Sequence, residues 1–97
     1  MRLSILGSTR FKDYSRFCQL LVDNFDLGKL TEIIISGNGG VDMLAARFCI
    51  ENNKRLHIVP IKPRKYFNLY RSMQIHEVVE AGDCTVLFYD TLMIDIN

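Results

Sequence analysis

The sequence predicts an α/β fold, a Rossmann-like three-layer arrangement with a mainly parallel sheet of four to five strands. Short apolar runs rich in β-branched residues recur along the chain, as is typical of buried strands. Each run is followed by a turn and then by apolar residues spaced three and four apart, which indicates a helix. Strands that alternate with helices favour parallel pairing through right-handed crossovers.

The first strand and helix are predicted over the opening third of the chain. The strand is Leu3 to Leu6, and it ends at Gly7 and Ser8. Asp13 is placed to cap the helix, and Gly28 is placed to terminate it. The apolar stripe of this helix is expected at Tyr14, Phe17, Cys18, Leu21, Val22 and Phe25.

The second strand, from Glu32 to Ser36, contains three consecutive isoleucines and is expected to be buried on both faces. A helix should begin at Val41 or Asp42 and stop near Asn52 and Asn53, because asparagine favours turns and left-handed conformations.

Two further strands and one helix complete the predicted fold. The third strand is Leu56 to Ile61, with Pro60 and Pro63 at its exit. A helix with His76 in its apolar stripe then runs up to Gly82, and the fourth strand is Cys84 to Tyr89. The alternating tail, 90–97, is either an additional edge strand or a segment that pairs with another subunit.

Composition limits the class of protein. The chain has 97 residues, of which 48% are hydrophobic, so residues 1–97 are expected to form one domain. The formal net charge of +1 gives no general attraction to nucleic acids or membranes. Three separated cysteines without zinc spacing or a disulfide framework, and no apolar run of membrane-spanning length, predict a soluble cytoplasmic protein without a metal or cofactor.

The stretch 33–45 suggests an anion site. Its three isoleucines are followed by Gly37, Gly39 and Gly40, which permit a tight turn, and then by a helix start. Backbone amides and the positive end of the helix dipole suit a phosphate there. The alternative is that these glycines only make a sharp connection.

Other loops are expected at the same edge, because ligands of open parallel sheets bind beyond the carboxyl ends of the strands. The loop 7–10 follows the first strand, and the basic, aromatic loop 62–71 follows the third. Arg10 could bind a phosphate or be an ordinary surface arginine. Asp42 could contact a ligand or simply complement its helix dipole. Nucleic-acid binding by the 62–71 loop is not expected, since no known motif accompanies it.

Three segments together resemble the SLOG superfamily, which includes the Lonely Guy nucleoside-phosphate hydrolases and DprA. They read GSTRF from Gly7, ISGNGGVDMLA from Ile35, and AGDCTVLFYD from Ala81, with Arg71 between the last two. The resemblance spans nearly the whole chain and is strongest to small single-domain members. It implies a nucleotide-derived ligand. By this resemblance the binding residues are Gly7, Ser8, Arg10, Ser36, Gly37, Gly39, Gly40, Asp42 and Arg71.

Departures from the family pattern bear on catalysis. The first loop contains an additional threonine, and the second lacks the arginine found in many small members. The chain also lacks the glycine-rich loop and glutamate that follow the fourth strand in the hydrolases. Glycosidic hydrolysis needs a carboxylate pair or an equivalent. We therefore expect non-catalytic binding or sensing, with Asp42 and Arg71 as the candidates if catalysis remains.

Two alternatives stay open. One is a nucleotide N-glycosidase of Lonely Guy type that uses Asp42, Arg71 and Asp90. The other is a degenerate fold that acts as a protein-contact module, such as a phage-encoded inhibitor. A homodimer is the expected assembly, because family members commonly pair and a small chain gains buried area by doing so.

Overall fold

The computed structural model describes residues 1–37, 39–59, 67–89 and 92–96, and for residues 67–73 it describes the helical backbone alone. Within these residues the chain is an α/β fold with a five-stranded, mostly parallel sheet and three helices. The elements are β1 (Arg2–Gly7), α1 (Tyr14–Asn24), β2 (Glu32–Ile35), α2 (Val41–Asn52), β3 (Arg55–Ile58), α3 (Phe67–Ala81), β4 (Cys84–Tyr89) and β5 (Leu92–Asp95).

The strand order is β3-β2-β1-β4-β5. The first four strands in the sequence pair in parallel, whereas β5 runs antiparallel to β4. The chain builds outward from β1 to β3 and then returns to the other side of β1, so its direction of growth reverses between β1 and β4. Residues 92–95 of the tail thus form an edge strand of the chain's own sheet, which was one of the two predicted alternatives.

One face of the sheet packs against α1 and α2 through a cluster of large side chains. Phe17 of α1 is fully buried, with its ring centroid 4.8 Å from Phe88 and 6.0 Å from Phe48. Leu3 and Ile5 contribute from β1, and Val86 contributes from β4. These long-range apolar contacts join both helices to the centre of the sheet.

The opposite face carries α3, which packs over β1 and β2. Ile34, Val59 and Val78 form the buried cluster there, with Leu6 and Ala81 packed against it. A buried polar contact fixes the same helix, since Ser4 Oγ donates to the carbonyl oxygen of Val78 at 2.5 Å. This face is therefore held by aliphatic packing and by specific hydrogen bonds.

The predicted end of the first helix is wrong. The helix stops at Asn24, because Phe25 takes an extended conformation and its amide donates to Leu21 O at 2.9 Å. Gly28 instead lies in the following turn, where it donates to the Asp26 side chain at 2.9 Å. Val22 was expected in the apolar stripe but is 52% exposed, since α1 buries only Phe17 and Leu21 completely.

The predicted caps are confirmed. Asp13 Oδ1 accepts from the Arg16 amide at 3.1 Å and begins α1. Asn53 has a φ of 56° and ends α2 in the left-handed region. Of the third predicted strand, Leu56 lies in β3, which ends at Ile58, whereas positions 60–66 lie outside the described residues.

His76 is a further correction. It was predicted in the apolar stripe of the third helix, but its side chain is exposed and lies 3.1 Å from the Glu80 carboxylate, one turn away. Among the described parts of the chain, no helix has the length and apolar character needed to cross a membrane.

Candidate ligand cleft at the carboxyl edge of the sheet

A cleft of about 230 Å³ lies at the carboxyl ends of β1, β2 and β4. It is located where the strand order reverses, which is the usual ligand position in open α/β sheets. The described residues that line it come from the end of β1, the first loop, the second loop, the start of α2, the middle of α3 and β4. They are Leu6, Gly7, Thr9, Ser36, Gly39, Asp42, Ile75 and Leu87.

The first and second loops touch directly through their backbones. A Cβ on Gly40 would lie 2.4 Å from Thr9 Cα and 2.8 Å from Ser8 O, and Gly40 has a φ of 61°. Any side chain at this position would force the two loops apart. Gly40 is therefore required for the contact between the two loops beside the cleft, whether or not a ligand binds.

Gly39 has a different role. Its φ is 85°, yet a Cβ built on it would meet no atom within 4 Å. The turn requires glycine for its conformation, and the space beside it is open. This combination leaves the backbone at Gly39 accessible from the cleft.

The start of α2 is only partly available to an anion. The amides of Asp42 and Met43 donate to the carbonyls of Gly39 and Gly40, at 3.3 and 3.1 Å, and the Leu44 amide also donates to Gly40 O. The backbone hydrogen bonds of the described residues include none from the amides of Gly39, Gly40 and Val41. Of these three residues Gly39 lines the cleft, so an anion there would meet the Gly39 backbone, with the positive end of the α2 dipole behind it.

Asp42 is the buried acidic group of the cleft. Its side chain is in the first turn of α2, the residue is 4% exposed, and Oδ2 accepts from Ser36 Oγ at 2.8 Å. Because a carboxylate can accept about four hydrogen bonds, Asp42 can also accept from a ligand hydroxyl.

Gln74 supports the same region from α3. It is 3% exposed, and its Nε2 donates to Ser36 O at 3.0 Å and to Val59 O at 2.7 Å. One side-chain amide thus joins α3 to the carboxyl ends of β2 and β3. Its Oε1 has no hydrogen-bond partner among the described residues.

The structure divides the predicted binding residues into three groups. Gly7, Ser36, Gly39 and Asp42 line the cleft together. Ser8, Arg10, Gly37 and Gly40 do not line it. Arg71 is in α3, but its side chain lies outside the described residues.

The residues of the second group have local structural roles. Ser8 donates its amide to Phe88 O at 3.0 Å, and its hydroxyl oxygen accepts from the Arg10 amide at 3.0 Å. Arg10 is exposed. Gly37 has a φ of 78°, and a Cβ there would lie 3.1 Å from Ile58 Cγ2. These residues shape the loops that surround the cleft.

Thr9 belongs to the loop 7–10, which was expected at this edge of the sheet. Three apolar lining residues, Leu6, Ile75 and Leu87, were not predicted to contact a ligand. Leu6 and Leu87 had the ordinary pattern of core residues, whereas Ile75 lies one helical turn after Arg71, as in the family that the chain resembles. They form an apolar wall opposite the polar loops.

Among the described residues, no group of three or more His, Cys, Asp or Glu side chains could hold a metal ion. Burial raises the pKa of the Cys49 thiol to about 11, so this cysteine is an unreactive core residue at neutral pH.

No family model matches the chain, and no curated protein or solved structure is significantly similar to it. Function must therefore be inferred from the residues of the cleft.

Proposed function

We propose that this chain is a Rossmann-like three-layer domain, related to the SLOG superfamily, which binds a small nucleotide-derived ligand without catalysing a reaction on it. The observation that carries the proposal is the position and lining of the cleft. It lies where the strand order reverses, and it combines a glycine turn at a helix start with a buried carboxylate.

Each part of the lining suits one part of a nucleotide. The backbone at Gly39, next to the positive end of the α2 dipole, would bind a phosphate. The Asp42 carboxylate would accept from a sugar hydroxyl, and Ser36 would keep it oriented. The apolar wall, which includes Ile75 and Leu87, would pack against the base.

The size of the cleft favours a small ligand. Pockets that enclose drug-sized ligands have volumes of roughly 300–1,000 Å³, whereas this cleft measures about 230 Å³. We expect a mononucleotide-sized ligand that stays partly exposed to water. A dinucleotide would extend well beyond the described walls.

The carboxylates favour binding over hydrolysis. Glycosidic hydrolysis commonly uses two carboxyl groups on opposite sides of the bond. Asp42 is the single carboxylate among the described residues that line the cleft, and Asp90, which directly follows β4, lies outside the described residues. A nucleotide N-glycosidase is therefore the second candidate, and release of free base is the observation that would establish it.

The test is a thermal-shift screen of the purified chain with nucleoside monophosphates, ADP-ribose, NAD and cyclic nucleotides, followed by calorimetry of each compound that raises the melting temperature. A ligand at about one hundred times its dissociation constant adds roughly 2.7 kcal/mol of stability. Chromatography of the same mixtures detects free base. If no compound of the panel raised the melting temperature, the result would contradict the proposal. Release of free base would instead establish the nucleotide N-glycosidase.

Matched variants connect binding to the cleft. Thr9→Trp adds a large side chain to a residue that is exposed and lines the cleft, so it should abolish binding while the fold persists. Lys12→Trp makes the same addition at a nearby exposed residue outside the lining, and it should bind like the wild type. Equal affinities of the two variants would show that the ligand binds elsewhere.

A further inference from the structure

The sheet register places a row of apolar residues on one face of β4 and β5. Leu87 is opposite Ile94, and Tyr89 is opposite Leu92. Directly opposite residues share a face, and side chains alternate along a strand, so Ile96 belongs to the same row. We call this surface the β4–β5 face.

The β4–β5 face is on the α3 side of the sheet. Leu6 pairs with Leu87, and Ser4 pairs with Thr85. Ser4 Oγ donates to a carbonyl of α3, so all these positions face that helix layer. Met93, at an intervening position of β5, packs instead with the cluster under α1 and α2.

The apolar side chains of this face are largely exposed. Helix α3 packs over β1 and β2, and the chain passes from β4 into β5 within residues 90–91 instead of entering another helix that would cover β4. Ile75 of α3 lies at the border and lines the ligand cleft together with Leu87. The exposed fractions are 61% for Tyr89, 57% for Leu92, 44% for Ile94, 49% for Ile96 and 41% for Ile75.

We propose that the β4–β5 face binds the same face of a second copy of this chain, in a two-fold dimer that stacks the two sheets. Sheets pack face to face at a separation of about 10 Å through apolar side chains of this kind. A two-fold dimer brings one patch against itself, which requires that the patch carry no repelling charge. The row formed by Thr85, Leu87 and Tyr89 with Leu92, Ile94 and Ile96 is uncharged.

The exposed area is sufficient for a weak dimer. The four exposed residues of the β4–β5 face, together with Ile75 of α3 beside them, present on the order of 500 Å², which is near the upper end for the largest apolar patch of a typical monomer, roughly 300–600 Å². Two such patches, if completely covered, would bury about 1,000 Å² together, the lower limit for a specific interface. The dimer should therefore form in a concentration-dependent manner.

Sedimentation equilibrium between about 5 and 500 μM protein tests the proposal in the weak-association range. The wild type should shift from the 11.2 kDa monomer towards twice that mass. Ile94→Lys, which places two like charges near each other in the dimer, should weaken association at least tenfold. Ile50→Lys is the matched control, because Ile50 is 82% exposed on α2, on the other side of the sheet, and this variant should associate like the wild type.

A second measurement does not depend on a variant. Dilution of isotope-labelled wild-type protein should shift the amide resonances of Tyr89 and Leu92 to Ile96 and leave those of α1 unchanged. If Ile94→Lys loses its cooperative thermal transition, Leu92→Lys replaces it. A wild type that remains monomeric at 500 μM, dilution shifts confined to α1 and α2, or a folded lysine variant that associates like the wild type would each overturn the proposal.

Discussion

The two faces of the sheet are covered by different chemistry. On the α1–α2 face, four phenylalanine rings meet in one closely packed cluster, those of Phe11, Phe17, Phe48 and Phe88. On the α3 face, a smaller aliphatic cluster is supplemented by hydrogen bonds from Ser4 and Gln74, and both the cleft and the β4–β5 face lie beside it. We infer that the first face supplies most of the packing energy, which leaves the second free for recognition.

The largest test of this comparison is to truncate one buried side chain on each face. Phe17→Ala should destabilise the chain by about 3–5 kcal/mol, because it removes a fully buried ring that lies against three other aromatic rings. Val78→Ala should cost roughly 1.5–3 kcal/mol, since fewer buried atoms are lost. Urea unfolding followed by circular dichroism measures both. Equal losses in the free energy of unfolding would show that the two faces of the sheet contribute equally to stability.

An intermediate loss of stability is expected when the hydrogen bonds that hold α3 to the sheet are removed. Gln74→Met keeps the shape of the side chain but leaves Ser36 O and Val59 O without their donor, which should cost about 2 kcal/mol. Gln19→Met is the control, since Gln19 is exposed and bonds only along its own helix, and it should change stability by less than about 0.5 kcal/mol. A neutral Gln74→Met variant would mean that apolar packing alone holds α3.

The smallest effect concerns the contact that joins α1 to α2, in which the Tyr14 hydroxyl donates to Glu51 and the Arg47 guanidinium lies 4.0 Å from the Tyr14 ring centroid. The Tyr14 hydrogen bond, followed by Arg47, lowers the pKa of Glu51. Burial and the bond to Glu51 raise the pKa of Tyr14. The contact should therefore be fully stabilising only at intermediate pH.

The contribution of this contact to stability is lost at low pH through Glu51 and at high pH through Tyr14. A lowered Glu51 pKa gives stability that is lost as the pH falls below about 4. A raised Tyr14 pKa gives stability that declines as the pH rises above about 10, because the unfolded chain then releases the proton first. Melting temperatures of the wild type and Tyr14→Phe should thus differ most between these limits. Glu51→Gln should remove the acid dependence, and a difference that does not vary with pH would contradict the assignment.

Local features were predictable because they depend on neighbouring residues. The fourth strand was predicted with the observed limits, and Asp13 and Asn53 were identified as helix-terminal residues from their capping chemistry alone. The end of α1 was mispredicted because Gly28 suggested a later stop than the extended conformation of Phe25 allows. His76 was mispredicted because spacing alone does not show which side of a helix faces the sheet.

The cleft was only partly predictable. The glycine turn, Ser36 and Asp42 were recognisable from a strand that ends at a helix start. The roles of Ser8 and Gly40 in loop geometry were not, because they depend on contact between two loops about thirty residues apart in sequence. The bridge from Gln74 to Ser36 and Val59 likewise joins separate elements.

By itself, the sequence determined the alternation of strands and helices, most of their limits and the glycine turn that begins α2, since these follow from periodicity and backbone preferences within a few residues. Only the tertiary structure decided the strand order, the antiparallel direction of β5, the apolar wall of Leu6, Ile75 and Leu87, and the exposure of the β4–β5 face. The physical reason is that these features depend on which surfaces from distant parts of the chain pack together. The hydrophobic effect is non-directional, so a local pattern shows that a residue is apolar but not which surface it packs against.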